Sequence, residues 1–280
     1  MTVKKISGLC DIVNDYDLYI IDLWGVVHNG VKAFNEAVIA LEQLKELNKT
    51  VVFLSNAPRR EAIARTQLEE RGIKSDLYSQ LYTSGEDCYK RLLLRDTPFY
   101  SSLGNRLFHL GPEKDRSLFE ETTYLPVSSL KEADFVLNTG PLSWSCQVSD
   151  YEKILKESFE LKLPMICSNP DKVVVHNQSF ALCAGALAEF YETLGGNVTY
   201  HGKPFASIYK NLFSLLPTCK FGKILVIGDS LSTDIKGANN IKVDSLLVLS
   251  GIHGNHIENL EMLYEEHNTL PTFLGQKLSW

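Results

Sequence analysis

Leu18-Tyr19-Ile20-Ile21-Asp22-Leu23-Trp24-Gly25-Val26 is the stretch whose reading decides the fold. The run Leu18–Ile21 has strand length and no polar alternation, which fits a strand buried on both faces. Asp22 ends that run. A carboxylate at the carboxyl tip of such a strand sits where open α/β sheets place their ligands. Gly25 lets the backbone turn tightly there, so that a ligand can approach the main chain.

Outward from this strand, Phe34, Ala37, Val38, Leu41, Leu44 and Leu47 recur at helical spacing, and Val51-Val52-Phe53-Leu54 reads as a second short buried strand. Pro58 fits the first turn of a following helix, where its missing N–H costs nothing. Further strands are expected at Leu107–Leu110, Phe135–Leu137, Met165–Ile166, Ile224–Ile227 and Leu246–Leu249, with helical stretches such as Tyr151–Leu161 and Cys183–Leu194 between them. Repeated β-then-α units predict an α/β fold, a doubly wound parallel sheet of Rossmann-like type covered on both faces. The middle of the chain alternates strands and helices of its own and reads as an inserted α/β domain. The expected division is a core of residues 1–85 and 199–280 with an insert of 86–198. No internal repeat or low-complexity tract stands out.

With 280 residues, 44% hydrophobic and 22% charged, the chain has the composition of a globular protein with ample core. A net charge of −6 argues against nucleic acid or an anionic membrane surface as partner. The one basic doublet near a motif, Arg59-Arg60, reads as a solvated helix start. The first ten residues lack the apolar stretch of a signal peptide and no run has membrane-span length, so a cytoplasmic location is expected. The six cysteines, Cys10, Cys88, Cys146, Cys167, Cys183 and Cys219, form no CxxC pair. They are expected to be reduced, with Cys167 and Cys183 as small core residues.

Four stations could carry chemistry. Asp22 could attack phosphorus and form an aspartyl-phosphate, which splits one hard displacement into two easier ones. Ser55-Asn56, after a strand and before a helix, offers a hydroxyl and backbone N–H groups to phosphate oxygens. Lys203, in His201-Gly202-Lys203-Pro204, could offset charge on a transferring phosphoryl group. Asp229, in Gly228-Asp229-Ser230, and Asp234 beyond it could hold Mg²⁺, which takes hard oxygen ligands. Taken singly, each has an ordinary reading as a turn residue, a helix cap or a solvated lysine. Their order, each at a strand or loop end, favours a common site.

In that order the chain resembles the haloacid dehalogenase-like hydrolase superfamily, and within it the class IIA branch of NagD-like and pyridoxal-phosphatase-like enzymes. Asp22-Leu23-Trp24-Gly25-Val26 with Gly30 resembles the first motif, Asp-x-Asp-Gly-Val followed by a glycine, and Leu54-Ser55-Asn56-Ala57 the second. Gly202-Lys203-Pro204 resembles the segment bearing the invariant lysine, and Val226–Ile235 the fourth motif. Ser168-Asn169-Pro170-Asp171 matches a Thr/Ser-Asn-Pro-Asp segment of the class IIA cap, and Ala184-Gly185-Ala186-Leu187 is similar to the stretch after it. The resemblance runs from about Asp17 to Gly251. It implies a Mg²⁺-dependent phosphatase of a small phosphorylated metabolite. Asp22 would be nucleophile and metal ligand, Ser55 and the Asn56 backbone phosphate binders, and Lys203 the stabiliser of both nucleophile and phosphate. Asp229, Asp234 and the backbone carbonyl of Trp24 would complete the metal site. The insert would be the cap that selects the leaving group, with Asn169 and Asp171 as candidate substrate contacts. For Asp171 a turn role is the favoured alternative. Relatives also form cap-mediated dimers, which leaves a homodimer open here.

Trp24 departs from the pattern. The family has an aspartate at this position, which protonates the leaving group and later activates water; an indole does neither. General acid–base catalysis contributes roughly 10²–10⁴-fold, against total accelerations of phosphate-ester hydrolysis that reach about 10²¹. Its loss predicts a slow hydrolase, least impaired with good leaving groups. Packing is the favoured role of the indole, over stacking on a substrate ring. His28, in the same loop, is either a substitute acid or base or an ordinary hydrogen-bonded loop histidine. Two other readings remain: a phospho-ligand-binding protein on a catalytically degenerate scaffold, and a phosphotransferase.

Overall fold

The computed structural model describes residues 3–176, 179–216, 222–254 and 259–280; Cys219 lies outside the described residues. The chain divides into two compact units, one of Met1–Ser55, Ala62–Tyr82 and Lys203–Trp280, the other of Asn56–Glu61 and Thr83–Gly202. The divisions therefore fall at 82/83 and 202/203, where the sequence suggested 85/86 and 198/199, and residues 56–61 group with the second unit.

Strands and helices are numbered in chain order. In the first unit, β2 (Leu18–Ile21) lies between β3 (Thr50–Ser55) and β12 (Ile224–Gly228), parallel to both, with Ile21 opposite Phe53 and Ile227. β13 (Asp244–Val248), β14 (Phe273–Gly275) and β1 (Lys4–Lys5) extend the sheet past β12, and β4 (Gln80–Thr83) extends it past β3, making seven strands. Successive side chains of a strand point to opposite faces. Leu18 and Ile20 accordingly pack with Val52, Leu54, Ile208 and Leu212, the last two on α7 (Ala206–Leu215). Tyr19 and Ile21 pack on the other face with Phe53 and with Leu41 and Leu44 of α1 (Asn35–Glu46). Helices on both faces explain why the run Leu18–Ile21 has no polar member. Each such aliphatic side chain contributes about 1.5–3 kcal/mol on burial.

The second unit has its own five-stranded sheet in the order β11-β8-β7-β5-β6. These strands are β5 (Arg106–Leu110), β6 (Leu125–Val127), β7 (Phe135–Asn138), β8 (Met165–Cys167) and β11 (Val198–Tyr200), all paired in parallel. Residues of α3 (Ser84–Leu94) and α4 (Pro98–Ser102) cover Leu107, Phe135, Leu137 and Ile166 on one face. On the other, α5 (Glu152–Glu160) and α6 (Ala184–Thr193) cover Val136, Met165 and Cys167. β9 (Val173–His176) and β10 (Ser179–Leu182) form an antiparallel pair. Cys167 and Cys183 are buried as expected, and the described cysteines are free thiols. Among the described residues no helix is long and apolar enough to cross a membrane.

Two local expectations are corrected. α2 (Glu61–Glu70) starts three residues after Pro58, so Ser55 and Asn56 precede a bend, not a helix N-terminus. The reason is competition for carbonyls. Ala57 O accepts from Gly85 N–H and the Ser84 hydroxyl, and Arg59 O from the Thr83 hydroxyl, so the start of α3 takes groups that a helical turn would need. Nor is Arg59-Arg60 a solvated doublet. Arg60 Nε donates to Glu86 Oε2 at 2.7 Å with its guanidinium 3.3 Å from the Tyr89 ring centroid, and Arg59 Nε lies 3.9 Å from Asp115 Oδ1.

Candidate active site

Adjacent parallel strands deliver the acidic residues. Asp22 follows β2 directly and Asp229 follows β12, and Asp22 N–H donates to Ile227 O at 2.9 Å, so the two carboxylates leave the same edge of the sheet. The chain after Asp229 winds into a π-helical turn over Leu231–Ile235, an irregularity common at functional sites. That turn carries Asp234, whose Oδ2 accepts from Ser230 N–H at 3.2 Å. A Cβ at Gly228 would fall 2.0 Å from Asp234 Cγ, so only glycine leaves room for this carboxylate. Asp22, Asp229 and Asp234 each offer an oxygen within 4.8 Å of the others, and all three are buried.

Lys203 completes the cluster. Its Nζ donates to Asp22 Oδ1 at 2.5 Å and to Asp234 Oδ1 at 2.7 Å, and its side chain is 3% exposed. Asp229 has a different environment. Its Oδ2 accepts from Ile252 N–H at 2.9 Å, in the loop after β13, and is closely flanked by Gly25 and Gly251. Burial first, then the charges of Asp22 and Asp234, push its carboxyl well above the ordinary carboxylate range. Three carboxylates against one ammonium leave an excess of negative charge and an all-oxygen donor set. These residues fit a hard divalent cation.

The loop after β2 makes the tight turn expected at Gly25. Gly25 has positive φ (82°), and the space above it is filled by Asp229 Oδ2, 2.2 Å from where a Cβ would stand. Ser250 fixes the same turn by donating to Gly25 O at 2.6 Å. The Trp24 indole folds back over Gly30 and meets His28 edge-on at 5.7 Å. His28 Nδ1 accepts from Gly30 N–H at 3.0 Å, and Gly30 O accepts from Arg71 Nε and Nη2 at 3.1 and 2.9 Å. Indole and imidazole thus pack within their own loop.

Ser55 stands at the carboxyl end of β3, next to β2, and is buried. Asn56 belongs to the second unit, where its Nδ2 donates to Asp171 Oδ1 at 2.8 Å. Asn169 Oδ1 accepts from Asp171 N–H at 2.9 Å, so Asn169 makes the turn and Asp171 holds Asn56. The structure therefore joins Asp22, Lys203, Asp229 and Asp234 in one cluster and ties Asn56, Asn169 and Asp171 into another. Sequence reasoning missed Gly251, Ile252 and Arg71. For the first two a signal existed: Ser250-Gly251 follows the strand beside β12, at the edge where a partner for Asp229 is needed.

Comparisons with known proteins bear on the family and the fold. Residues 19–124 match a family described as haloacid dehalogenase-like hydrolase, and residues 200–273 match a second, HAD-hydrolase-like family. Chronophin from Bos taurus is 25% identical over 301 residues, covering 98% of this chain and 94% of its own. A haloacid dehalogenase-like hydrolase from Brucella suis 1330 superposes with a TM-score of 0.84 at 28% identity, over 98% of this chain and 99% of its own. Glycerol phosphate phosphatase from Mycobacterium tuberculosis, solved in complex with magnesium, shares the fold with a TM-score of 0.69 at 23% identity, over 99% and 77%.

Proposed function

Because this chain belongs to the haloacid dehalogenase-like hydrolases, we propose that it is a class IIA member acting as a Mg²⁺-dependent phosphatase of a small phosphorylated metabolite. The observation that carries this reading is the Lys203 ammonium held between Asp22 and Asp234 beside Asp229, a cationic group among clustered carboxylates.

Asp22 is the nucleophile. One of its carboxylate oxygens bonds to phosphorus as the bond from phosphorus to the ester oxygen breaks, and the leaving oxygen takes its proton from solvent. Water then attacks the same phosphorus, the bond to Asp22 breaks, and inorganic phosphate departs with the carboxylate restored. Lys203 pairs with Asp22 and offsets charge on the phosphoryl oxygens, the kind of electrostatic stabilisation that dominates phosphoryl transfer. The Ser55 hydroxyl and the Asn56 backbone N–H donate to those oxygens. Asp22, Asp229, Asp234 and the Trp24 carbonyl would hold Mg²⁺, which when bound supplies neutralisation of the phosphoryl charge. The second unit acts as the cap that selects the leaving group.

Hydrolysis of an activated aryl phosphate in the presence of Mg²⁺ tests this, with Asp22→Asn as control. Turnover by the wild type that Asp22→Asn lacks is expected. Equal inertness of both across a broad phosphate panel would overturn it. Trp24 is the one observation favouring the other reading, a phospho-ligand-binding protein. Asp22-dependent thermal stabilisation by Mg²⁺ and beryllofluoride without any product would establish that instead.

A further inference from the structure

A buried imidazole stands two residues before Lys203. His201 follows β11 directly, and its backbone N–H donates to Cys167 O, at the end of β8, at 2.9 Å. Its Nδ1 lies 2.5 Å from Asp87 Oδ2 on α3, and its Nε2 is in short contact with the Tyr100 hydroxyl on α4. Asp87, Tyr100 and His201 are 2%, 3% and 4% exposed, so three polar side chains are buried where apolar packing alone would cost less. Burial, with the nearby Cys88 and Asp87, holds the Tyr100 phenol well above its ordinary range. The imidazole is thus hydrogen-bonded at both ring nitrogens, to Asp87 and to Tyr100. A ring bound at both nitrogens has one orientation. Its depth removes it from any soluble substrate, so the triad is no second catalytic centre.

The chain leaves His201 through Gly202 at φ 118°, in a region that side chains avoid. A Cβ there would lie 2.5 Å from Asn56 Oδ1 and 2.8 Å from Pro170 Cδ. His201 and Gly202 are thus fixed by hydrogen bonding and by packing. The next residue is Lys203, whose amine must meet two carboxylates at 2.5 and 2.7 Å. In such a site a misplacement of about 1 Å can cost about 10²-fold in rate.

We propose that His201 is a positioning residue for Lys203, clamped by Asp87 and Tyr100 so that the chain enters the lysine in a single conformation. The inference rests on the role of Lys203 proposed above. Fully satisfied buried polar networks rigidify their surroundings in this way.

The test reads the lysine directly, on the full chain. Reductive methylation followed by mass spectrometry gives the labelling rate of each lysine without requiring turnover. Lys203 should be among the slowest in the wild type, and His201→Phe should raise its rate by about 10-fold while Lys45 and Lys277 stay unchanged. Leu155→Ala, which loosens the second unit away from the triad, should leave Lys203 protected. With an aryl phosphate, His201→Phe should lower kcat by roughly 10-fold, and the His201→Phe/Lys203→Ala double variant should be no slower than Lys203→Ala alone. If His201→Phe does not fold, Tyr100→Phe removes one hydroxyl and should show the same pattern at about threefold. A folded variant in which Lys203 stays as protected as in the wild type overturns the proposal. So does a loss of kcat that multiplies with that of Lys203→Ala. A protein that hydrolyses nothing defeats the phosphatase reading but leaves the labelling result to decide this one.

Discussion

The indole of Trp24 lies across Gly30, so closely that a Cβ on the glycine would fall 2.2 Å from the ring. Gly30 itself has φ 88° and is held on both sides, by His28 through its N–H and by Arg71 through its carbonyl. The ring at position 24 therefore braces its own loop. A carboxylate here could exchange a proton with a leaving group, and an indole cannot.

Trp24→Asp is accordingly expected to raise turnover of alkyl phosphates, with their poor leaving groups, by about 10²-fold or more. The gain with nitrophenyl phosphate should be much smaller. Steady-state rates on the two substrate types, in a variant whose folding is confirmed by circular dichroism, decide the matter. Equal gains or none would sink the missing-acid argument.

Gly30→Ala should destabilise by about 1–3 kcal/mol, because alanine pays for positive φ and also meets the indole. In a Trp24→Ala background the collision disappears and only the backbone cost remains. Thermal melts of the two single variants and the double variant should therefore be non-additive. Additive losses would mean that the ring does not rest on this glycine.

Asp229→Asn should have effects of opposite sign with and without metal. Without divalent cation it removes one of three crowded carboxylates, and the melting temperature should rise. With Mg²⁺ at about 100 times its Kd the wild type should gain about 2.7 kcal/mol, and most of that gain should vanish in the variant. Melts in chelator and in Mg²⁺ report both signs. A wild type indifferent to Mg²⁺ would remove the metal from the account.

Acid should expose two opposed groups of the second unit. Burial, and then Arg116, lowers the His109 imidazole to about 4, and its Nε2 lies 3.0 Å from Thr139 Oγ1. Burial raises the Asp115 carboxyl to about 6. Between pH 6.5 and 4 the unfolded chain takes up a proton at His109 that the folded chain does not, so this group lowers stability as pH falls. Between pH 6 and 3.8 the folded chain binds a proton at Asp115 that the unfolded chain does not, so stability rises as pH falls. His109→Gln should therefore gain about 1–2 kcal/mol relative to wild type on going from pH 7 to pH 5, and Asp115→Asn should lose a similar amount. Denaturant melts at the two pH values check the signs.

The sequence made the central strands legible because they are buried on both faces: β2, β3, β7, β8 and β12 each contain a continuous apolar run. β1, β4, β6 and β11 lie at sheet edges, and Lys4–Lys5 or Leu125–Val127 owe their strand geometry to a neighbour, not to a pattern of their own. The same limit holds at the site. Asp22, Lys203, Asp229 and Asp234 were readable as residues at the ends of strands or loops. The attachment of Asn56 to Asp171 joins segments far apart in the chain and leaves no local trace. The expected helix at Pro58 failed for a related reason, since residues of a later helix take the carbonyls it would have used.

The strand order has a consequence for biosynthesis. On the ribosome Leu18–Ile21 emerges early, but its neighbour Ile224–Gly228 is translated much later, and Phe273–Gly275, which stands between β13 and β1, later still. Residues 83–202 contain their five-stranded sheet in one uninterrupted run and can fold during elongation, whereas the sheet bearing Asp22 closes only near the end of synthesis. Until then an apolar strand has one open edge, and the yield of native protein depends on keeping that edge from pairing with other nascent chains.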